Sequence, residues 1–307
     1  MIAGRARSHL ASLAPHEFGL LAVLAAAILW STGGLFIKAV SLDAFGVTLW
    51  RSPLAALTIA LLLGAKPRFD RSVPRIEWAV AIAYAVTLLT FVAATKLTTA
   101  ANAIFLQYTG PLYVLIFGRF LLAERPTRVD VVALVVAFGG MALFFVGKLD
   151  PSDMGGNALA LVSGAAFGAF LVLLRRPECS AETRPRAMVS GNLILFVVAA
   201  AVVIARGDWG AFTPGFQDMG ALVFLGVLQI GLAYTCFTAG IARIPAVEAG
   251  LVGMLEPVLN PVWVWIFLEE APGRWAIAGG CVIIAAVTAR PFFQNRRTRE
   301  AVHAPSS

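Results

Sequence analysis

Glu256 is the side chain in this sequence best suited to chemistry, because it stands in the middle of the apolar run LVGMLEPVLNPVWVWIFLEE at residues 251–270. A carboxylate in such surroundings loses its hydration and needs a partner or a task. Three interpretations stay open. Glu256 can hydrogen-bond to backbone that Pro257 leaves without a partner, it can bind the amine of a substrate, or it can carry a coupling proton.

Amide, hydroxyl and aromatic side chains in other apolar runs are suited to line a cavity for a small-molecule substrate. Gln107 and Gln229 indicate this most directly, because a buried amide needs hydrogen-bond partners. Packing is the alternative for each aromatic side chain. The predicted cavity residues are Trp30, Tyr84, Thr87, Phe91, Gln107, Tyr108, Phe167, Gln229 and Phe237. Such a set suits an aromatic or bulky apolar amino acid, and it suits a drug-like cation or a purine equally well.

Several kinds of active site are excluded by what the sequence lacks. The histidines, His9, His16 and His303, all lie near the termini, so the apolar core has none. The cysteines stand far apart and form no CxxC pattern. No GxxxxGK[ST] motif for ATP is present. We therefore expect no catalytic residues, no cofactor and no metal site, and we keep an intramembrane enzyme as a remote alternative.

The composition places these residues in a membrane protein. Hydrophobic residues make up 59% of the 307 residues, charged residues make up only 13%, and the mean hydropathy is +0.84. Soluble domains carry roughly 25% charged residues. The basic residues form short clusters between apolar runs, which argues against nucleic acid as a partner and for the lipid bilayer. Ten segments are long enough to span the bilayer, namely 18–38, 45–64, 76–95, 100–121, 129–147, 156–174, 187–205, 218–239, 246–267 and 275–290.

The charge distribution predicts the orientation of these spans, numbered 1 to 10 in chain order. The first is predicted to be an uncleaved span, because its apolar part exceeds the ~7–15 residues of a signal-peptide core. Placing both termini in the cytoplasm puts 17 of the 24 Lys and Arg residues in inner loops and tails and 4 in outer loops. Positive charge favours the cytoplasmic side. We therefore predict a multi-pass protein with cytoplasmic N- and C-termini.

The sequence also repeats, at a separation of 146 residues. The segment FLQYTGPLYVLIFGRFLLAER falls on LVGMLEPVLNPVWVWIFLEEA, so that Pro111 falls on Pro257 and Glu124 on Glu270. Each half holds five predicted spans, and an odd number makes the second half enter the membrane from the opposite side. Inverted repeats of this kind are typical of secondary transporters. Duplication kept only for packing is the alternative.

Prolines and small residues predict where the helices bend and where they approach one another. Pro111, Pro257 and Pro261 each remove a backbone hydrogen bond inside a predicted span, which gives either a static kink or a hinge. Small residues favour the close approach of a neighbouring helix. In predicted span 6 they recur at every fourth position, as Gly156, Ala160, Gly164 and Gly168.

Each half ends in a block with an Ala-rich start, a central proline, an apolar run, a glutamate and a Gly/Ala-rich helix. The blocks are AANAIFLQYTGPLYVLIFGRFLLAERPTRVDVVALVVAFGGMAL and AVEAGLVGMLEPVLNPVWVWIFLEEAPGRWAIAGGCVIIAAVTA. They resemble two EamA domains of the drug/metabolite transporter superfamily. The segment AILWSTGGLFIKAV and the early Arg51 of span 2 share this resemblance. Within the superfamily, the chain is most similar to aromatic amino-acid exporters of the YddG type.

The resemblance implies an all-α protein of the bacterial inner membrane, with ten transmembrane helices as two inverted five-helix repeats around a central cavity. The repeats would cover residues 18–147 and 156–290, with a linker at 148–155 and cytoplasmic tails at 1–17 and 291–307. The implied function is export of aromatic and other neutral amino acids by alternating access. Export or import of drug-like cations, purines or other small metabolites is the alternative. Proton coupling stays open, and the sequence is compatible with a monomer.

Overall fold

The computed structural model describes residues 14–69, 73–122, 127–144, 146, 154–268, 274–275, 277–286 and 288. These residues form helices joined by short turns, and no β-strand occurs among them. The α-helices are α1 (Pro15–Trp30), α2 (Gly33–Ala39), α3 (Ala44–Leu63), α4 (Arg75–Leu97), α5 (Ala100–Gln107), α6 (Gly110–Leu121), α7 (Arg128–Phe144), α8 (Met154–Leu174), α9 (Thr183–Arg206), α10 (Phe216–Val223), α11 (Ala233–Ile241), α12 (Ala246–Gly253), α13 (Glu256–Leu268) and α14 (Ile277–Ala286). A 3₁₀-helix, Trp209–Phe212, precedes α10, and a π-helix, Phe224–Leu232, joins α10 to α11.

Seven stretches of helix in the described part of the chain are long and apolar enough to cross a membrane. They are Pro15–Ala39, Ala44–Leu63, Arg75–Leu97, Asn102–Leu121, Met154–Leu174, Thr183–Arg206 and Phe216–Ile241. Shorter apolar helices at Val131–Leu143 and Ile277–Ala286 fall within predicted spans 5 and 10, and α12 with α13 covers span 9. The all-α membrane fold is confirmed, and the count of ten spans stays a prediction. Residues 1–13, Glu124, 147–153, Glu270 and the predicted tail at 291–307 lie outside the described residues.

Predicted spans 4 and 9 are each broken into two helices at equivalent positions. α5 ends at Gln107 and α6 begins at Gly110, while α12 ends at Gly253 and α13 begins at Glu256. In both spans a proline is the second residue of the second helix, where it has no N–H to donate to the carbonyl four residues earlier. The two breaks therefore follow the 146-residue separation of the sequence repeat.

Predicted span 1 is broken as well, without a proline. α1 ends at Trp30, and α2 begins at Gly33. Between them, the Ser31 and Thr32 hydroxyls donate to backbone carbonyls one turn earlier, at 2.6 and 2.7 Å. Hydroxyls bonded in this way compete with the helical backbone pattern and favour a bend. Trp263 of α13 donates its indole N–H to the Ser31 hydroxyl at 2.6 Å, so two of the broken spans are in contact.

The small-residue face of α8 packs directly against the break between α5 and α6. A methyl group built on Gly164 would lie 2.8 Å from the carbonyl oxygen of Gln107. One built on Gly168 would lie 2.7 Å from the carbonyl oxygen of Gly110. Ala160, on the same face, is fully buried. Small side chains are required here because α8 touches the backbone of its neighbour.

Antiparallel helices give the bundle two ends, which we call the Asp43 end and the Arg243 end. At the Asp43 end, Lys38 Nζ donates to the Thr98 carbonyl at 2.8 Å, and Arg206 pairs with Asp43 at 3.1 Å. The Arg206–Asp43 pair joins the two halves of the sequence, whereas the Lys38–Thr98 bond joins two segments of the first half. The positive-inside prediction assigns this end to the outer side of the membrane.

The Arg243 end is held by two contacts between the halves and by one contact within the second half. His16 lies 3.1 Å from Glu248, and Arg186 lies 3.4 Å from Glu77. Arg175 donates to the carbonyl of Ile244 in the turn after α11. The positive-inside prediction assigns this end to the cytoplasm.

Candidate functional site

A cavity lies in the middle of the bundle, next to the breaks in the three broken spans. It contains about 460 Å³ of space not filled by atoms, part of it open to the outside. Both halves of the chain contribute to the lining, which consists of Trp30, Arg51, Thr87, Leu88, Phe91, Gln107, Tyr108, Phe167, Gln229, Ile230, Tyr234 and Glu256.

The structure places most of the predicted cavity residues along this cavity. Those that line it are Trp30, Thr87, Phe91, Gln107, Tyr108, Phe167 and Gln229. Tyr84 and Phe237 are not among the described lining residues. They pack behind the cavity, against Tyr234, which the sequence analysis did not select. Arg51 also lines the cavity and was not selected.

The π-helix explains why Tyr234 lines the cavity with Gln229. Regular α-helical spacing would place Phe237, eight residues after Gln229, on the same face. Gln229 lies in the π-helix, whose hydrogen bonds join residues five apart. Gln229 and Tyr234 are five apart and both reach the cavity. Regular α-helical spacing therefore predicts Phe237 as the cavity residue, whereas Tyr234 is the aromatic residue that lines the cavity.

An aromatic cluster packs against the cavity and extends toward the Arg243 end. Its members are Trp30, Tyr84, Phe170, Tyr234 and Phe237, all nearly or fully buried. Tyr234 is central, with ring centroids 4.8 Å from those of Trp30 and of Tyr84. Phe170 and Phe237 lie one turn before the ends of α8 and α11 at the Arg243 end. Stacked and edge-to-face rings of this kind form a dense plug.

Tyr108 and Glu256 connect the breaks in predicted spans 4 and 9. The Tyr108 hydroxyl lies 2.6 Å from the Gly253 carbonyl oxygen and 2.6 Å from Glu256 Oε2. Pro257 leaves the Gly253 carbonyl without its helical donor, so the hydroxyl replaces that missing bond. Because a hydroxyl has one proton, it donates to one of these two oxygens at a time. If it donates to Gly253, a bond between Tyr108 and Glu256 requires a proton on the carboxyl group.

The predicted hinge prolines lie beside this contact. Pro111 and Pro257 each follow the first residue of a helix that starts at a break, α6 and α13. Pro261 lies one turn further along α13. The breaks before α6 and α13 lie next to the cavity, which is where a hinge would have to act.

The two glutamines differ in how their amides are satisfied. Gln107 Nε2 donates to the Ser163 hydroxyl at 2.8 Å, which in turn donates to the Thr87 carbonyl at 2.9 Å. Gln229 is 4% exposed, and its Oε1 atom has no hydrogen-bond partner. A buried acceptor left open costs free energy unless a ligand or water satisfies it. Gln229 is therefore available to a bound substrate, whereas Gln107 is held by its neighbours.

Arg51 is the cation of the cavity, and it is only 1% exposed. Its Nε and Nη2 atoms have no hydrogen-bond partner. Among the described residues no carboxylate forms an ion pair with it. In the sequence, Arg51 falls six residues into predicted span 2, where it is easily mistaken for a basic residue near a helix end. Its depth depends on how α3 sits against its neighbours, which spacing alone does not give.

The position of Gln229 gives a testable prediction. A methyl group on Gly33 would lie 2.6 Å from Gln229 Nε2, the flexible end of that side chain. We expect Gly33→Ala to displace the amide without unfolding the protein, and so to act like Gln229→Ala. Each should lower substrate flux in liposomes about 5-fold, as expected for one hydrogen bond of ~1 kcal/mol.

The double variant tests whether both substitutions act through the same amide. If they do, Gly33→Ala/Gln229→Ala should be no worse than either single variant. Membrane abundance of each variant, measured by immunoblot, should match the wild type. Additive losses of flux would show that Gly33 acts elsewhere, and normal flux in Gln229→Ala would remove Gln229 from the site.

Known proteins match this fold over nearly its full length. A crystal structure superposes with a TM-score of 0.75 at 21% sequence identity, covering 92% of this chain and 99% of that chain. The pseudopaline exporter CntI of Pseudomonas aeruginosa is 26% identical over 277 residues, 88% of this chain and 95% of the relative. The probable terminal-alkyne amino-acid exporter of Streptantibioticus cattleyicolor is 25% identical over 288 residues, 90% of this chain and 93% of the relative.

A family profile matches each half of the chain separately. The EamA-like transporter family matches residues 17–146 and again residues 154–289. The two matches correspond to the halves that contain the equivalent helix breaks at 108–109 and 254–255. The chain therefore belongs to the EamA-like transporter family.

Proposed function

We propose that this protein is a secondary transporter that exports amino acids, aromatic and other neutral ones, or related metabolites across the bacterial inner membrane. The observation that carries this proposal is the cavity in which Arg51 and Glu256 stand among aromatic rings. A cavity with apolar walls and a few polar groups suits an amphipathic small molecule. Relatives named as exporters of pseudopaline and of a terminal-alkyne amino acid support export and cargo of this type.

Alternating access would use the broken spans around the cavity. On this proposal, the aromatic cluster keeps the cavity closed toward the Arg243 end, because its rings pack against one another. Loading from the cytoplasm requires this cluster to part, and release requires a path to the Asp43 end. The breaks beside Pro111 and Pro257 allow α6 and α13 to change direction without breaking further backbone hydrogen bonds. Inverted repeats give the two arrangements similar energies.

Glu256 would couple substrate to protons. It is the only carboxylate among the described lining residues. One carboxylate can hold a proton or pair with a substrate ammonium group, but it cannot do both. Because a proton and a substrate ammonium group compete for Glu256, one must leave before the other binds. This competition produces exchange of substrate for proton. The Tyr108 hydroxyl would respond to this exchange, since it can turn between Glu256 and the Gly253 carbonyl.

Transport into liposomes tests this function. Purified protein should move labelled phenylalanine, tryptophan and threonine, and a pH gradient should raise the initial rate. The same assay with a cationic dye and with a purine examines the alternative cargoes. Dye or purine flux without amino-acid flux would overturn the amino-acid assignment, and amino-acid flux unaffected by the gradient would overturn proton coupling.

A further inference from the structure

We infer that Arg51 and Trp30 form the subsite that binds the carboxylate of the substrate. The cavity would then recognise a zwitterion, with its carboxylate at Arg51 and its amine at Glu256. This inference rests on the proposed function and specifies it. Transport of an amine or a drug-like cation would need Glu256 alone, whereas an amino acid needs both Glu256 and Arg51.

The first argument is the uncompensated charge of Arg51. A guanidinium group stays charged in proteins and offers five N–H donors in a planar fork. At 1% exposure, Arg51 has little water to satisfy those donors. Its Nε and Nη2 atoms have no hydrogen-bond partner among the residues that the structure describes. A charge buried in a membrane protein is costly unless it is paired, so the cavity should bind an anionic group here.

The second argument is the set of groups that face Arg51. Among the described residues, the phenols of Tyr84 and Tyr234 interact electrostatically with Arg51, and neutral phenols do not neutralise a cation. The Tyr84 hydroxyl already accepts a hydrogen bond from Asn192 Nδ2 at 2.8 Å. Glu256 lines the same cavity and forms no ion pair with Arg51. The missing counter-charge is therefore left for a ligand to supply.

The third argument is that two other lining residues carry polar atoms without hydrogen-bond partners. Trp30 lines the cavity, is 6% exposed, and has a buried indole N–H without a partner. This group can donate only, so it suits the same carboxylate as Arg51. Gln229 contributes an unpartnered acceptor, Oε1, which suits an ammonium group. The unsatisfied donors and the acceptors thus match the two charged groups of an amino acid.

The wild-type protein can be tested with matched ligands. Labelled phenylalanine transport is measured in liposomes against unlabelled phenylalanine and against phenylalaninamide, which keeps the amine and the ring but lacks the carboxylate. We expect phenylalaninamide to compete at least ~10-fold more weakly, because a site built for a polar group rejects an analogue without it. Equal competition by the two ligands would overturn the carboxylate subsite and leave amino-acid transport intact. Absence of phenylalanine transport would overturn the proposed function, and with it the zwitterion assignment.

Substitution of Arg51 gives a second, independent measurement. Arg51→Gln should raise the KM for phenylalanine and bring the competition ratio of the two ligands close to one. Arg119→Gln is the matched control, because Arg119 is exposed near the end of α6 and lies away from the cavity. A folded Arg51→Gln protein with the wild-type ratio would overturn the assignment. If Arg51→Gln does not fold, the ligand comparison on the wild type still decides the question.

Discussion

Glu256→Gln is expected to abolish transport driven by a pH gradient, down to the rate of liposomes without protein. Glutamine has nearly the same size and can still accept the hydrogen bond that Tyr108 donates at 2.6 Å. The amide binds neither a proton nor the charge of an ammonium group, so both competing occupants of the site are lost. Initial rates of phenylalanine uptake with and without the gradient provide the measurement.

The same mechanism predicts the direction in which the apparent KM for substrate changes with pH. In the wild type, protons compete with the substrate amine at Glu256, so the apparent KM should rise as the pH falls. Below the pH at which Glu256 is half protonated, the rise approaches ~10-fold per pH unit. In Glu256→Gln no protein-dependent uptake should appear at any of these pH values. A variant that keeps both the gradient response and the pH dependence would remove Glu256 from the coupling step.

Two further variants separate chemistry from packing. Glu182→Gln carries the same substitution on a side chain that is 85% exposed, and it should transport like the wild type. Tyr108→Phe keeps the carboxylate but leaves the Gly253 carbonyl without its donor. It should retain a response to the gradient while losing about 1 kcal/mol of stability. Loss of the gradient response in Tyr108→Phe as well would mean that the hydroxyl is needed for coupling.

Gly168→Ala is expected to cause the largest loss of stability among single-methyl changes in α8. The added methyl group would lie 2.6 Å from Tyr113 Cβ and 2.7 Å from the Gly110 carbonyl oxygen. One of these atoms is backbone and the other is the rigid start of a side chain, so the two helices must separate. Overpacking of this kind costs ~1–3 kcal/mol. Thermal unfolding in detergent, followed by size-exclusion chromatography, should show a clearly lower midpoint.

Gly155→Ala is the matched control on the same helix. A methyl group there meets nothing within 4 Å. Both substitutions replace glycine by a better helix former, which favours the helix by up to ~1 kcal/mol. Gly155→Ala should therefore unfold at the wild-type temperature or slightly above it. Equal midpoints for the two variants would show that α8 does not depend on close contact at Gly168.

Much of this fold follows from the sequence because a membrane limits the alternatives. In a bilayer, a run of about 20 apolar residues must form a helix, because only a helix satisfies the hydrogen bonds of its own backbone. The repeat was visible because Pro111 and Pro257 keep the same position in each half, and each is the second residue of a helix that follows a break. The break at Ser31 and Thr32 was harder to predict, since serine and threonine hydroxyls bend some helices and leave others straight.

The site was only partly predictable from the sequence. The spacing of residues shows which face of a helix they share, but it does not show how deeply each residue is buried in the bundle. Tyr84 and Gln229 both belong to plausible cavity faces, yet Tyr84 is fully buried behind the cavity. Arg51 could not be distinguished from an orientation charge until α3 was placed among its neighbours. The pairing of Tyr108 with Glu256 joins residues 148 positions apart in the chain. Such a contact depends on the docking of the two halves.

The asymmetry between the two breaks has a consequence for stoichiometry. Gly110 occupies the place that Glu256 has in the other half, and a methyl group there would already lie 3.1 Å from Phe167 Cδ1 and 3.3 Å from the Gly164 carbonyl oxygen. A glutamate at position 110 would therefore have to displace Phe167 or the neighbouring backbone of α8. One carboxylate exchanges one proton per cycle, so outward movement of a zwitterion carries one net charge inward. On the proposed mechanism transport is electrogenic, and a membrane potential of ~100 mV adds about 2.3 kcal/mol, a roughly 50-fold concentration ratio.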